Sequence, residues 1–253
     1  MNLSGKKGLV IGIANRDSIA YGCAKAFRRE GADLAVSYLN AKAEPHVRPL
    51  AVELEAALCE PLDLRVPGQL EALFARVEQV WGKLDFLLHS VAFAPKDDLH
   101  GRLVDSSVEG FMLAMDISCH SFVRMAKLAE PLMKDGGSLL AMSYFGAEKV
   151  IPDYGMMGPV KATLEACTRY MAAELGGKGI RVNAISPGPI STRAARGVKN
   201  FDGAIDYATA RAPLKSLATI DDVGAMAAFL VSDGAKAITG EICHVDGGYN
   251  VMG

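Results

Sequence analysis

Short apolar runs alternate with longer amphipathic stretches along almost the whole chain, and this rhythm is what most restricts its fold. The runs Gly8–Ile11, Asp33–Tyr38, Leu58–Leu62, Leu84–His89, Ser138–Ser143, Arg181–Ile185 and Ile242–Val245 read as strands. Between them Ile19–Glu30, Pro45–Ala56, Gly68–Trp81, Glu109–Met133, Val160–Leu175 and Asp221–Ser232 read as helices. Such alternation predicts an α/β protein: a doubly wound parallel sheet of about seven strands with helices on both faces. Several runs are nearly all apolar, as strands covered on both faces require. No repeat, low-complexity tract or linker interrupts the pattern, so residues 1–253 are expected to form a single domain.

One segment breaks the rhythm. Pro187-Gly188-Pro189 follows the sixth strand, and 190–213 reads as loop and short helix. Ligands of open α/β sheets bind beyond the carboxyl ends of strands. An irregular segment leaving such an end is well placed to be a small substrate lid.

Composition narrows the function classes. Half of the 253 residues are hydrophobic, enough for a sizeable core. A net charge of −2 gives no electrostatic case for nucleic acid or an anionic membrane. Cys23, Cys59, Cys119, Cys167 and Cys243 are scattered and odd in number, with no C-x-x-C. They suggest neither a disulfide framework nor a zinc site, and a reducing cytoplasm is the simplest setting. Lys6 and Lys7 precede an apolar run, but Gly12, Asn15, Arg16 and Asp17 break it too early for a signal peptide. No stretch approaches the ~20 apolar residues of a membrane span.

The first strand leads into Gly12-Ile13-Ala14-Asn15-Arg16-Asp17-Ser18-Ile19-Ala20-Tyr21-Gly22. Glycine after a strand lets backbone approach a pyrophosphate, and the next helix offers free N–H groups and a positive dipole end. Ser18 is placed to cap that helix or to bind phosphate. The spacing is not G-x-G-x-x-G, so an ordinary strand–helix turn competes with a dinucleotide loop. The surrounding βαβ pattern favours the loop and a Rossmann-type fold. After the second strand, Ser37-Tyr38-Leu39-Asn40-Ala41-Lys42 has no acid and no immediate arginine. That favours NADH over NADPH, while Lys42 keeps NADPH open. Asp63 is a candidate for the adenine amino group, or simply a turn aspartate.

Tyr154 and Lys161 are seven residues apart, close to two helical turns, so both can share one face. A phenol is a poor acid at neutral pH, and a nearby ammonium lowers its pKa. Pro159 lies between them and is tolerated only in a first turn. The regular helix is therefore expected to start near Gly158, with Tyr154 on an irregular entry. A surface tyrosine with a solvated lysine is the competing reading. His89, at the end of the fourth strand, reads as a packed or hydrogen-bonded strand histidine, with a place near a cofactor as the alternative, and Cys119-His120 as no metal site. Met156-Met157 suit either an adaptable pocket or the core. Arg193, Arg196 and Lys199 read as an exposed basic face that also suits an acidic carrier protein.

Five segments together resemble a known family: Gly12 to Gly22; His89-Ser90-Val91-Ala92-Phe93-Ala94-Pro95; Ser143-Tyr144 with Tyr154 and Lys161; Arg181 to Ile190; and His244-Val245-Asp246-Gly247-Gly248. The chain resembles the NADH-dependent enoyl-acyl-carrier-protein reductases of bacterial type II fatty acid synthesis. These are a divergent branch of the short-chain dehydrogenase/reductase superfamily. The likeness runs from about residue 3 to 250, and its most specific element is the tyrosine–lysine spacing; conventional superfamily members have three intervening residues.

The resemblance implies hydride transfer from NADH to C3 of a trans-2-enoyl thioester, with Tyr154 hydrogen-bonding the enolate oxygen. Lys161 would hold the nicotinamide ribose, and Tyr144 would line the acyl pocket. By position, cofactor contacts fall to Gly12, Ser18, Ile19, Leu39, Asp63, Leu64, Val91, Lys161, Ile190, Ser191, Thr192, Arg193 and Ala194. Substrate contacts fall to Ala94, Tyr144, Tyr154 and Met157. Acyl carrier protein is the implied partner and a homotetramer the implied assembly. Three residues depart from the pattern: Ala92 where many members have glycine, Leu39 for a polar residue, and Pro159. A carbonyl reductase of the same superfamily and a non-catalytic dinucleotide sensor are the alternatives. The spacing argues against the first, and retention of both tyrosines and the lysine against the second.

Overall fold

The computed structural model describes residues 1–192, 195–197 and 201–252. Its seven strands are β1 (Lys7–Ile11), β2 (Asp33–Tyr38), β3 (Leu58–Pro61), β4 (Phe86–His89), β5 (Gly137–Met142), β6 (Ile180–Pro187) and β7 (Ile242–Val245). They form one parallel sheet in the order β3-β2-β1-β4-β5-β6-β7. All seven predicted strands are present, with ends shifted by up to two residues.

Alternation within each strand explains the two-sided burial. Leu9, Ile11, Leu87, Leu139 and Ala141 enter one apolar core, under α3 (Gln69–Trp81), α6 (Ser121–Ala129) and α7 (Met157–Leu175). Val10, Phe86, Leu88, Leu140 and Met142 enter the other, under α1 (Ile19–Arg29), α2 (Glu44–Glu53) and α9 (Ile220–Val231). Side chains of successive strand residues point to opposite faces, so one apolar run feeds two cores.

The predicted helix Glu109–Met133 is more complex than its periodicity suggests. It divides into α5 (Val108–Met115), a π-helical turn (Asp116–His120), α6 and a 3₁₀ turn (Glu130–Leu132). Hydroxyls inside this stretch take up backbone groups. Ser118 Oγ accepts from Phe93 N (2.9 Å) and donates to Phe93 O (3.0 Å), and Ser121 Oγ donates to Ile117 O (2.7 Å). Such bonds compete with the regular helical ladder. Two further helices, α4 (Lys96–His100) and α8 (Phe201–Arg211), lie in stretches with no strong periodic signal.

The strand order reverses at β1 and β4: the chain runs outward from β1 to β2 and β3 on one side, then from β4 to β7 on the other. A crevice opens at the carboxyl ends of strands at this kind of switch point.

Candidate active site

A cavity of about 350 Å³ occupies that crevice. Its floor comes from strand ends: Ser90 to Ala94 after β4, Met142 to Tyr144 at β5, and Pro187 to Ile190 at β6. Helix starts supply Ile19 from α1, and Met157 and Lys161 from α7. The roof comes from less regular chain, including Ile151, Pro152, Thr192 and Ala195, with Ala204 of α8.

Of the residues singled out from sequence, Ile19, Val91, Ala94, Tyr144, Tyr154, Met157, Lys161, Ile190 and Thr192 line this one cavity. Among its described lining residues Lys161 alone is charged. It is only 5 % exposed, and its Nζ donates to the Met142 carbonyl at 2.6 Å. Burial pushes its pKa down to about 8, while Cys119 and Glu165 pull it up.

The two tyrosines meet edge to face, with ring centroids 4.8 Å apart. Burial raises both phenols: Tyr154 is raised further by Tyr144 and Glu165, while Tyr144 is pushed up to about 12 with a contribution from Tyr249. An unassisted Tyr154 is therefore a hydrogen-bond donor rather than a phenolate at neutral pH. Gly146 makes room for the pair, because a Cβ there would lie 2.5 Å from Tyr154 Cδ1. Tyr154 sits on an irregular entry between Asp153 (φ +62°) and Gly155 (φ +52°). The helix begins at Met157, so Pro159 falls in its first turn, where no intrahelical N–H is lost.

Gly12 and Ser18 sit beside the cavity rather than on it. Gly12 has φ +117°, and a Cβ there would meet the Ser90 carbonyl oxygen at 2.1 Å. Only glycine fits this approach of β1 to the β4 loop. Of the two roles read for Ser18, helix cap or phosphate ligand, the structure does not show the cap. Ser18 occupies the N-cap of α1 but makes no capping bond. Its hydroxyl instead accepts from Ala14 N and Asn15 N (3.0 Å each) and donates to Asn15 Oδ1 (3.1 Å), folding the loop, while the Ser18 carbonyl takes Tyr21 N and Gly22 N and no side chain caps the helix. With the Gly12 cradle, the uncapped start of α1 and the Lys161 ammonium, these residues fit a dinucleotide.

Leu39 is half exposed after β2 and Leu64 is buried. The Asp63 carboxylate is already engaged. Arg65 grips it through Nε (2.9 Å) and a second nitrogen (2.7 Å), which lowers its pKa. Ser191 is exposed and does not line the cavity. Arg193, Ala194 and Lys199, with the Arg196 side chain, lie outside the described residues.

His89 is fully buried. Ser121 Oγ gives its proton to Ile117 O, so His89 Nε2 donates to Ser121 Oγ at 2.7 Å. Burial, then Lys161, pushes its pKa down to about 3, so the ring is neutral packing beside the site. Cys119 is buried with its Sγ 3.8 Å from Cys167 Sγ, and His120 is exposed against Asp116. Two polar residues escaped the sequence reading. Glu165 is buried and its Oε1 accepts from Ser143 Oγ at 2.5 Å. In the sequence Ser143 stands out only as the neighbour of Tyr144. The available signal was the spacing of Glu165 four residues after Lys161.

A doubly wound parallel sheet with a glycine cradle at its switch point and a tyrosine–lysine cavity beyond it defines a dinucleotide-dependent oxidoreductase. Comparison with known proteins narrows the class. The model of the enoyl-(acyl carrier protein) reductase family matches residues 12–250, and the chain belongs to that family. It is 45% identical to enoyl-[acyl-carrier-protein] reductase [NADH] 1 of Rhizobium meliloti (strain 1021), over 99% of this chain and 92% of that protein. It is 46% identical to the enoyl-[acyl-carrier-protein] reductase [NADH] FabI of Escherichia coli (strain K12), over 98% and 95%. The crystal structure of the Anaplasma phagocytophilum reductase in complex with NAD superposes with a TM-score of 0.95 at 46% identity, covering 99% of this chain and 96% of that one.

Proposed function

We infer that this chain reduces the trans-2 double bond of an enoyl-acyl-carrier-protein thioester with NADH, the last reduction of the fatty acid elongation cycle. The observation that carries this reading is the Tyr144–Tyr154 pair over buried Lys161 in one cavity, on a chain of the enoyl reductase family. NADH, when bound, supplies the hydride that C3 of the substrate accepts.

The chain's own residues do the rest. Tyr154 donates a hydrogen bond to the thioester oxygen as negative charge develops there, acting as an oxyanion donor. Its raised pKa suits a donor that keeps its proton. Lys161 is anchored by the Met142 carbonyl and presents a positive charge to the ribose hydroxyls. Tyr144 fixes the Tyr154 ring and, with Ala94 and Met157, walls the acyl chain. Gly12, Ser18 and Ile19 shape the phosphate loop; Val91, Ile190 and Thr192 border the nicotinamide side. Leu39, Asp63 and Leu64 border adenine, where Asp63 must share its carboxylate with Arg65. The segment 190–213, including Ser191, Arg193 and Ala194, serves as the lid.

Acyl carrier protein delivers the chain, four copies assemble, and the enzyme works in the cytoplasm. Among the described residues no helix is long and apolar enough to cross a membrane. Incubation with NADH and a trans-2-enoyl chain on acyl carrier protein should yield the saturated thioester by mass spectrometry. Recovery of the unsaturated chain alone would sink the reading. Light scattering at a dimer or monomer mass would overturn the tetramer separately.

A further inference from the structure

The buried Glu165 carboxylate is not used in the mechanism above. It is 5 % exposed, on a helix whose other inward residues are largely apolar. Burying a carboxylate is costly, and an apolar side chain of similar size would fill the space without that cost. Stability alone therefore does not account for an acid here.

Its contacts suggest what does. Glu165 and Lys161 stand one turn apart on α7 and grip successive residues of the same strand end. Lys161 Nζ donates to Met142 O at 2.6 Å, and Glu165 Oε1 accepts from Ser143 Oγ at 2.5 Å. Ser143 N is fixed from the other side by Ile185 O at 2.7 Å. The next residue is Tyr144, whose ring packs on Tyr154, and Tyr154 enters α7 itself. One helix thus holds both ends of the tyrosine pair.

We propose that Glu165 is a positioning residue for the reduction: through Ser143 it pins the end of β5 to α7, fixing the carbonyl that holds Lys161 and the backbone that carries Tyr144. This rests on the enoyl reductase reading for its chemistry, but not for its geometry. Electrostatics agree with it. The Glu165 charge raises the pKa of both Lys161 and Tyr154, favouring the ammonium and the neutral phenol. The groups around Glu165 are Ser143, Glu148 from the turn after β5, Arg169 on its own helix and His244 of β7. Burial raises the Glu165 carboxyl itself, and the Ser143 hydrogen bond is the main opposing effect.

The test compares Glu165→Ala, Glu165→Gln, Ser143→Ala and the double alanine variant. It measures NADH affinity by fluorescence, kcat and KM with a trans-2-enoyl thioester, and Tm. Misplacing a reacting group by about 1 Å costs up to roughly a hundredfold in rate. Glu165→Ala and Ser143→Ala should each lose that much kcat and several-fold in NADH affinity, with KM for the enoyl substrate little changed. The glutamine variant keeps an acceptor for Ser143 and should recover most of the loss. The double variant should fall no further than either single one, because both break the same link. Losses that multiply, or full kcat and NADH affinity in folded Ser143→Ala, would overturn the proposal. If Glu165→Ala does not fold, Ser143→Ala and Glu165→Gln decide. A wild type that binds NADH but reduces no enoyl thioester would defeat the functional reading instead, and the NADH affinities would still test the link.

Discussion

The floor and the roof of the cavity are built on different principles. The floor consists of strand ends and helix starts whose polar groups are already engaged, Lys161 on Met142 O and Ser143 on Glu165, with the Gly12 cradle packed against Ser90 beside it. The roof is irregular chain and a helix edge that present Ile151, Pro152, Ala195 and Ala204, with no charged group among the described lining residues. Cofactor and proton chemistry need fixed positions, so they belong to the floor. An acyl chain needs apolar surface and a way in, which loops provide.

On this division, changes to the engaged polar groups of the floor strike cofactor affinity and rate, and changes to the apolar roof residues Ile151, Pro152 and Ala204 strike substrate affinity alone. Lys161→Ala should have the largest effect, abolishing measurable turnover and weakening NADH binding; unchanged fluorescence titrations would break the comparison. Tyr154→Phe should lower kcat by roughly a hundredfold to a thousandfold, as loss of one oxyanion donor does, with NADH affinity nearly intact. Gly12→Ala forces a side chain into the left-handed region against Ser90 and should cost about 1–3 kcal/mol of stability along with NADH affinity. A thermal melt matching wild type would show that the cradle is not tight.

The pH response sharpens the same contrast. The Lys161 pKa falls from its ordinary 10.5 to about 8 in the fold, so NADH affinity and rate should decline above about pH 8. Between those two values the unfolded chain binds the extra proton, so this group makes the protein more stable as pH rises through the window. Activity falling while Tm holds or climbs would identify lost charge; both falling together would identify unfolding. The smallest effect is expected at the roof. Ile151→Ala should raise KM for a long enoyl thioester by roughly tenfold or less and leave the NADH affinity unchanged.

Much of this was legible in the sequence because apolar period fixes strands and helices locally. The irregular entry at Tyr154 followed from Pro159, whose missing N–H is harmless only in a first turn. The parts that were missed depend on partners distant in sequence. The π-helical turn carries Ser118, whose bonds to Phe93 no periodicity reveals. Glu165 reads as an ordinary helix-surface acid until the fold buries it against Ser143. Ser18 looked like a cap because its position is right, and only the geometry shows its hydroxyl turned back into the loop.

The most direct test pairs two substrates on the purified protein. NADH oxidation would be followed with a trans-2-enoyl thioester and, separately, with a 3-ketoacyl thioester. Oxidation with the enoyl substrate alone is the predicted result. Oxidation with the ketone alone would contradict the account and place the chain among the carbonyl reductases.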